Sequence, residues 1–217
     1  MTLVFASNNA HKLEEARAIM PNVHILSLAE IGCHEDIPET HPTLEGNSLQ
    51  KAAFVRDWCE KHSEQIPKDV AGCFADDTGL EIEALNGDPG VYTARWAGPQ
   101  CEPGSNRKKA LRLLQNETNR KAQFRTIVTL MPLSPFKPFQ PDTPFHLFEG
   151  IVTGRIATEE RGNGGFGYDP VFIPDLPDAE VPNEQTFAEL PIELKNTISH
   201  RARAMQQLAV FLQKIAK

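Results

Sequence analysis

Phe74-Ala75-Asp76-Asp77-Thr78-Gly79-Leu80-Glu81-Ile82-Glu83-Ala84-Leu85-Asn86-Gly87-Asp88-Pro89-Gly90-Val91-Tyr92-Thr93-Ala94-Arg95-Trp96-Ala97-Gly98 is the stretch around which the chain is organised. An apolar run, Val70 to Ala75, delivers two adjacent carboxylates, Asp76 and Asp77, ahead of the turn-prone pair Thr78-Gly79. Carboxylates at the end of a buried strand are costly to desolvate unless a cation or a cluster of donors faces them. Mg2+ is a natural partner, because it takes oxygen ligands and usually shares its shell with substrate phosphates. Asp-Asp-Thr-Gly is also good turn chemistry, so a solvated turn is the competing reading. Beyond it, Leu80, Ile82 and Ala84 alternate with Glu81 and Glu83, the pattern of a half-buried strand. Residues 86–90 read as a turn.

Upstream, Thr2 to Ala6 reads as a buried strand that Ser7-Asn8-Asn9 breaks. From Lys12, the apolar residues Leu13, Ala16 and Met20 fall at helical spacing, and Pro21-Asn22 stops the helix. Val23 to Leu28 reads as a second strand, which makes the opening an α/β unit. After an irregular segment, a helix starts at Asn47 or Ser48 and runs to about His62, with Leu49, Ala52, Val55 and Cys59 on one face. Downstream, Ser105 reads as the N-cap of a helix reaching about Asn116. Ala122–Met131 and Phe145–Ala157 read as strands, Val171–Ile173 as a short one, and Thr186 as the start of a helical turn. Prolines at 132, 135, 138, 141 and 144 suit either a polyproline ligand or an extended loop of a hairpin. Met205, Leu208, Ala209, Leu212 and Ile215 mark the longest amphipathic helix, from Ser199 onward.

With 217 residues the chain can bury a full core as one domain, residues 1–217, or as one domain with two lobes. A net charge of −7 argues against a broad basic face for duplex nucleic acid, so no nucleic-acid partner is expected. No apolar run reaches the roughly 18 residues of a membrane span, and no secretory leader pattern is present, so no membrane partner is expected. Cys33, Cys59, Cys73 and Cys101 form no Cys-x-x-Cys pair, which fits reduced thiols in a cytoplasmic protein.

Four further segments carry chemistry. Ser7-Asn8-Asn9-Ala10-His11-Lys12 lies between a strand and a helix start, where unpaired N–H groups and the positive dipole end suit a phosphate. It contains no Gly-x-x-x-x-Gly-Lys and is not a P-loop. A capped turn with a solvated Lys12 is the alternative. In Leu44-Glu45-Gly46-Asn47-Ser48-Leu49-Gln50-Lys51, Glu45 could ligate a metal and Lys51 meet a phosphate; equally, Glu45 could favour the helix start while Lys51 is solvated. Gly164-Gly165-Phe166-Gly167-Tyr168-Asp169 lets backbone approach a ligand while Phe166 stacks on a flat group, or anchors a loop with a core ring. At the last helix, Lys195, His200 and Arg201 offer donors to an oxygen-rich edge, or are simply solvated.

Taken together, Ser7-x-Asn9-x-x-Lys12, Asn47-Ser48-x-x-Lys51-Ala52, Ala75-Asp76-Asp77-Thr78-Gly79-Leu80, Gly87-x-Pro89-Gly90-x-Tyr92-x-Ala94-Arg95, Gly165-Phe166-Gly167-Tyr168-Asp169-Pro170 and Ile198-Ser199-His200-Arg201 resemble the inosine triphosphate pyrophosphatase family. The closest likeness is to bacterial non-standard purine triphosphate pyrophosphatases, and it covers essentially the whole chain. The resemblance implies an α/β fold with a mixed, elongated central sheet flanked by helices, and two lobes with the active site in the cleft between them. It implies a homodimer and Mg2+ as cofactor. The implied reaction is hydrolysis of dITP, ITP, XTP or dXTP to the monophosphate and pyrophosphate. Ser7 to Lys12, with Asn8, Asn9, Ala10 and His11, would hold the triphosphate. Asp77 would be the catalytic acidic residue and a metal ligand, with Asp76 beside it helping to hold the metal. Thr78 and Lys195 would contact the nucleotide. Phe166, Gly167, Tyr168 and Asp169 would form the base pocket, and His200 and Arg201 would read a 6-keto purine edge. Many family members carry Glu immediately before the residue matching Asn47; here Gly46 stands there, so either Glu45 or Glu39 would supply the second carboxylate. Rival readings are a pyrophosphatase for modified pyrimidines, dTTP or UTP, and a nucleotide-binding module without turnover.

Overall fold

The computed structural model describes residues 1–133, 144–176 and 184–215. Its strands are β1 (Thr2–Phe5), β2 (His24–Leu26), β3 (Val70–Ile82), β4 (Pro89–Gly90), β5 (Lys121–Pro132), β6 (His146–Ile156) and β7 (Phe172–Pro174). Its helices are α1 (Ala10–Ile19), α2 (Leu44–Lys61), α3 (Pro103–Leu113), α4 (Ile192–Ile198) and α5 (His200–Ile215). The sheet is mixed and runs β2-β1-β3-β5-β6-β7, with β4 on β3. The α/β class and the helix-flanked sheet expected from the sequence are therefore present.

The chain divides into two compact units: residues 1–77, 126–150 and 201–217, and residues 78–125 and 151–200. In the first unit β1 pairs in parallel with both β2 and β3. A parallel strand must be covered on both faces, which is why Leu3-Val4-Phe5 is apolar and all of Thr2–Phe5 is buried. One face is covered by α1 and α5, whose Ala16, Met20, Ala204, Met205 and Leu208 pack with Leu3, Phe5 and Phe74. The other is covered by α2, whose Ala52, Val55 and Cys59 pack with Val4, Cys73 and Ala75. In the second unit Leu80, Ile82, Phe124, Tyr168, Phe172 and Phe187 form a separate core, and β6 pairs antiparallel with β7. Close backbone approach there leaves no room at Gly154, where an added Cβ would run into the Ile173 carbonyl oxygen and lie 2.8 Å from Phe172 Cζ. Gly154→Ala should therefore destabilise the protein by about 1–3 kcal/mol, the usual cost of forced overpacking, as read by chemical denaturation.

The structure corrects several expected boundaries. β3 is one continuous 13-residue strand, so Thr78-Gly79 is not a turn. Ala84 lies in a 3-10 turn, Glu83–Leu85, rather than a strand. α2 begins at Leu44, three or four residues before the expected start, because Thr43 caps it by accepting from Gly46 N–H at 3.1 Å. With 18 residues it exceeds the 16 of α5, which was expected to be the longest helix. α3 starts at Pro103, a residue pre-set for a first helical position; Ser105 lies inside it and donates to Glu102 at 3.0 Å instead of capping. α4, which the sequence reading did not mark, precedes the last helix. Thr186 lies in turn structure, with Oγ1 donating to Arg161 O at 2.9 Å. Residues 134–143 of the proline-rich stretch lie outside the described residues. Among the described residues no helix is long and apolar enough to cross a membrane.

Candidate active site

The two carboxylates of β3 point to opposite sides of the strand. Successive side chains of a strand alternate between faces. From Cys73 onward the alternation is regular: Cys73 and Ala75 pack with α2, and Phe74 packs with α1 and α5. Asp76 then falls on the α1/α5 face and Asp77 on the α2 face. The hydrogen bonds agree with this count.

On the first face, Asp76 is almost fully buried between two cations. Lys12 Nζ donates to its Oδ1 at 2.9 Å and Arg201 Nε to its Oδ2 at 3.0 Å. Arg201 NH1 also reaches Glu15 Oε2 at 2.5 Å, and Arg201 is itself buried. Burial alone would push the Asp76 carboxyl up, but Lys12, Arg201 and Lys51 outweigh it and hold the group well below the usual carboxylate range. Burial pulls the Lys12 ammonium down; Asp76 opposes this, Arg201 and Lys51 reinforce it, and the net value lies below that of an ordinary lysine. The segment before α1 is locally defined: Asn9 Oδ1 caps the helix by accepting from Lys12 N–H at 3.2 Å, and Ser7 Oγ accepts from Asn9 N–H at 3.2 Å. Asn8, Asn9, Ala10 and His11 are exposed.

On the second face, Lys51 Nζ donates to Asp77 Oδ1 at 2.9 Å and to Glu39 Oε1 at 2.6 Å. Asn47 Nδ2 donates to Asp77 Oδ2 at 3.3 Å, while Asn47 Oδ1 accepts from His41 N–H at 2.9 Å. Burial pushes Asp77 above the ordinary aspartate value; Lys51 opposes the shift and Glu39 adds to it. Burial pulls Lys51 down, but Asp77, Asp76 and Glu39 outweigh it and its ammonium is held above the ordinary value. Ser48 Oγ donates to Ala75 O at 3.1 Å and accepts from Thr129 Oγ1 at 2.8 Å, which fixes α2 against β3 and β5.

The second unit holds the remaining candidates. Asp169 Oδ2 accepts from Phe166 N–H at 2.7 Å and from Lys195 Nζ at 2.7 Å. Lys195 Nζ stands 4.9 Å from the centre of the half-buried Phe166 ring, a cation–π distance. Arg107 NH1 donates to Gly167 O at 2.8 Å. Tyr168 is buried, with its hydroxyl donating to Thr93 O at 3.1 Å, and burial pushes its phenol up. His200 is buried beside Phe124, ring centres 4.5 Å apart. Thr78, half-buried, is the first residue of this unit. A cavity of about 710 Å³ on this unit, lined by Glu81, Lys121, Gln123 and Arg155 among others, includes none of the candidates.

Thus Lys12, Asp76 and Arg201 form one group, Lys51 and Asp77 a second, and Phe166, Asp169 and Lys195 a third. Lys12, Lys51, Lys195, His200 and Arg201 are engaged and mostly buried rather than solvated. Glu45 sits half-buried on the first turn of α2, where the helix dipole favours an acidic residue. Sequence reasoning missed Glu15, Asn47 as a partner of Asp77, and Thr129. Glu15 carried a signal: it follows Lys12 by three residues on α1 and so shares its face. Among the described residues no three His, Cys, Asp or Glu side chains form a ready metal cage.

Comparison with known proteins gives one answer. The Ham1 family model matches residues 3–211. The chain is 46% identical over 209 residues to the dITP/XTP pyrophosphatase of Flavobacterium johnsoniae, covering 96% of each chain. It is 48% identical over 212 residues to the dITP/XTP pyrophosphatase of Porphyromonas gingivalis, covering 97% of this chain and 96% of that one. Among solved structures, the Staphylococcus aureus Ham1 protein superposes with a TM-score of 0.79 at 34% identity, and a Coxiella burnetii Ham1 protein with 0.80 at 32%; each match covers 99% of both chains.

Proposed function

Because this chain belongs to the Ham1 family, we propose that it hydrolyses non-standard purine nucleoside triphosphates, dITP, ITP, XTP and dXTP, to the monophosphate and pyrophosphate, clearing them from the nucleotide pool. The observation that carries the reading is the set of half-buried Lys12 and buried Lys51 and Arg201 interleaved with Asp76 and Asp77. Phosphoryl chemistry asks a protein chiefly for positioning and neutralisation of charge, and these residues provide both.

Water attacks the α-phosphorus and the bond to the bridging oxygen of the pyrophosphate breaks. Asp77 takes the proton from the attacking water. Burial raises its pKa, which strengthens it as a base, and the neighbouring Lys51 opposes that rise. Lys12 and Lys51 neutralise the departing pyrophosphate, and the N-terminus of α1 offers N–H groups to its oxygens. Asp76, held on both oxygens by Lys12 and Arg201, orients those two cations; we give it that role in place of the metal ligation implied by the resemblance.

Mg2+ fits the second face of β3. Asp77 and Glu39 carry two negative charges against the single ammonium of Lys51, and Mg2+ characteristically uses one or two carboxylates together with substrate phosphates. When bound, Mg2+ would supply Lewis acidity and neutralise phosphate charge. Phe166 stacks on the purine with Lys195 beside it, and His200 and Arg201 discriminate a 6-keto from a 6-amino edge; Thr78, Gly167, Tyr168 and Asp169 complete the nucleotide contacts. A homodimer in the cytoplasm is part of the same proposal, and light scattering in solution tests the dimer.

Pyrophosphate release from a panel of triphosphates, with and without Mg2+, tests the function. ITP, dITP and XTP should be strongly preferred over ATP, dTTP and UTP; preference for a pyrimidine, or tight ITP binding without release, would refute it. Phe166→Ala should raise KM for ITP by about 5- to 150-fold, equivalent to about 1–3 kcal/mol of lost stacking. Its kcat should change little, because stacking acts alike in ground and transition states.

A further inference from the structure

We propose that Arg107 is a positioning residue of the nucleotide pocket: its guanidinium clamps both ends of the glycine-rich loop that presents Phe166, and so sets how tightly the purine is held. This rests on the base-pocket reading of Phe166 above. The loop runs from Glu160 to Gly167 and has glycines at 162, 164, 165 and 167. Gly165 and Gly167, on either side of Phe166, have φ of +70° and +63°. At Gly167 an added Cβ would meet nothing within 4 Å, so glycine stands there for its backbone conformation and not for want of space. Glycine takes up positive and negative φ about equally readily. The peptide groups beside Phe166 can therefore turn over at little cost unless something outside the loop holds them.

Arg107 does so from α3. Its Nη1 donates to Gly167 O at 2.8 Å, at the far end of the loop, and Glu160 Oε2 lies 2.9 Å from its Nε, at the near end. The planar fork of a guanidinium meets both at once, which the single point charge of a lysine cannot do. α3 is itself fixed one residue earlier, where buried Asn106 accepts from Ala97 N–H at 2.7 Å and donates to Ala94 O at 2.8 Å. The C=O and N–H of a trans peptide point in opposite directions, so the bond to Gly167 O also fixes the direction of the Tyr168 N–H. Within the loop, Asp169 holds Phe166 on both sides: its Oδ2 accepts from Phe166 N–H at 2.7 Å and its own N–H donates to Phe166 O at 3.2 Å. Asp169 thus shapes the turn from inside, and Arg107 ties it to α3 from outside. Arg107 acts through the loop, so loss of the clamp shows in nucleotide binding and not in the chemical step.

The test measures KM and kcat for pyrophosphate release from ITP, and the Ki of inorganic pyrophosphate. It compares the wild type with Arg107→Met, Arg107→Lys, Phe166→Ala and the combination of Arg107→Met with Phe166→Ala, each first checked for a cooperative thermal melt. Met keeps most of the apolar stem and removes both contacts, so Arg107→Met should raise KM about tenfold, the size of one charged hydrogen bond. kcat and the Ki of pyrophosphate should each stay within about twofold, because Lys12, Lys51 and Asp77 serve the chemistry and the pyrophosphate. Arg107→Lys, which reaches one end of the loop but not both, should raise KM about threefold. In the Phe166→Ala background the Met substitution should raise KM by less than about threefold, since the ring that the clamp positions is already gone. Wild-type KM in Arg107→Met or in Arg107→Lys overturns the proposal, and the Lys variant alone decides if the Met variant does not fold. So does a change in kcat or in the Ki of pyrophosphate as large as that in KM, or an equal rise in KM with and without the Phe166 ring. No pyrophosphate release from ITP by the wild type refutes the function proposed above and this inference with it, whereas turnover without an effect at position 107 refutes this inference alone.

Discussion

Asp77→Asn is expected to lower kcat for pyrophosphate release by about a hundredfold to ten-thousandfold, the usual contribution of a positioned general base. The replacement keeps the shape and one acceptor oxygen but removes the basic electron pair. Added Mg2+ should not recover the activity, because the same substitution removes a charge from the carboxylates proposed to hold Mg2+. The fold should survive it. Asp77 is held above its ordinary pKa because burial disfavours its charge, and Lys51 retains Glu39 as a counter-ion. The melting temperature should therefore stay close to that of the wild type or rise. Near-normal kcat in a variant with normal melting would remove the catalytic role given to Asp77.

Arg201→Met is expected to cost about 3–5 kcal/mol of folding stability at neutral pH, because it strips one partner from a buried ion network. It removes the donor to Asp76 Oδ2 and the cation on Glu15, while both carboxylates stay enclosed. The pH dependence has a definite sign. Asp76 has a depressed pKa in the folded state, so its contribution is fully present above the unfolded aspartate value, about 3.9, and is lost as pH falls toward the depressed folded value. The gap between wild type and variant should be widest near neutrality and narrow progressively as pH falls below about 4 toward the depressed folded value, where Asp76 takes up a proton and no longer needs Arg201. Urea denaturation at several pH values reads this directly, and a gap that widened on acidification would contradict it.

The periodic parts of the fold were legible in the sequence. Thr2–Phe5, α1, β5, β6 and the Met205–Leu212 face of α5 follow their apolar spacing, because burial there is repetitive. β3 was legible as two pieces, the apolar run to Ala75 and the alternation at Leu80 and Ile82, but not as one strand. Asp76-Asp77-Thr78-Gly79 has the composition of a turn, and its extended conformation depends on Lys12, Lys51 and Arg201, which lie far away in sequence and compensate the buried charge. α4 has only seven residues, with Leu194 and Ile198 as its apolar pair, too short for a period to stand out. In the site, residue types were readable and pairings were not. Nothing local says that adjacent carboxylates serve opposite faces, or that Glu39 shares a cation with Asp77; both follow from strand alternation and from a chain path set by distant contacts.

Arg201 also bears on how the molecule is made. It meets a carboxylate 125 positions earlier in the chain, and the first unit takes its segments from residues 1–77, 126–150 and 201–217. At a synthesis rate of about 5–20 residues per second, a growing polypeptide waits on the order of 6–25 s between the emergence of Asp76 and that of its second counter-ion. During that interval Asp76 lacks its Arg201 partner, and the surface that α5 later covers is open to water. The first unit thus closes only after the whole second unit has left the ribosome, so a nascent chain cannot bring Lys12, Asp76 and Arg201 together before Phe166, Asp169 and Lys195 have been made.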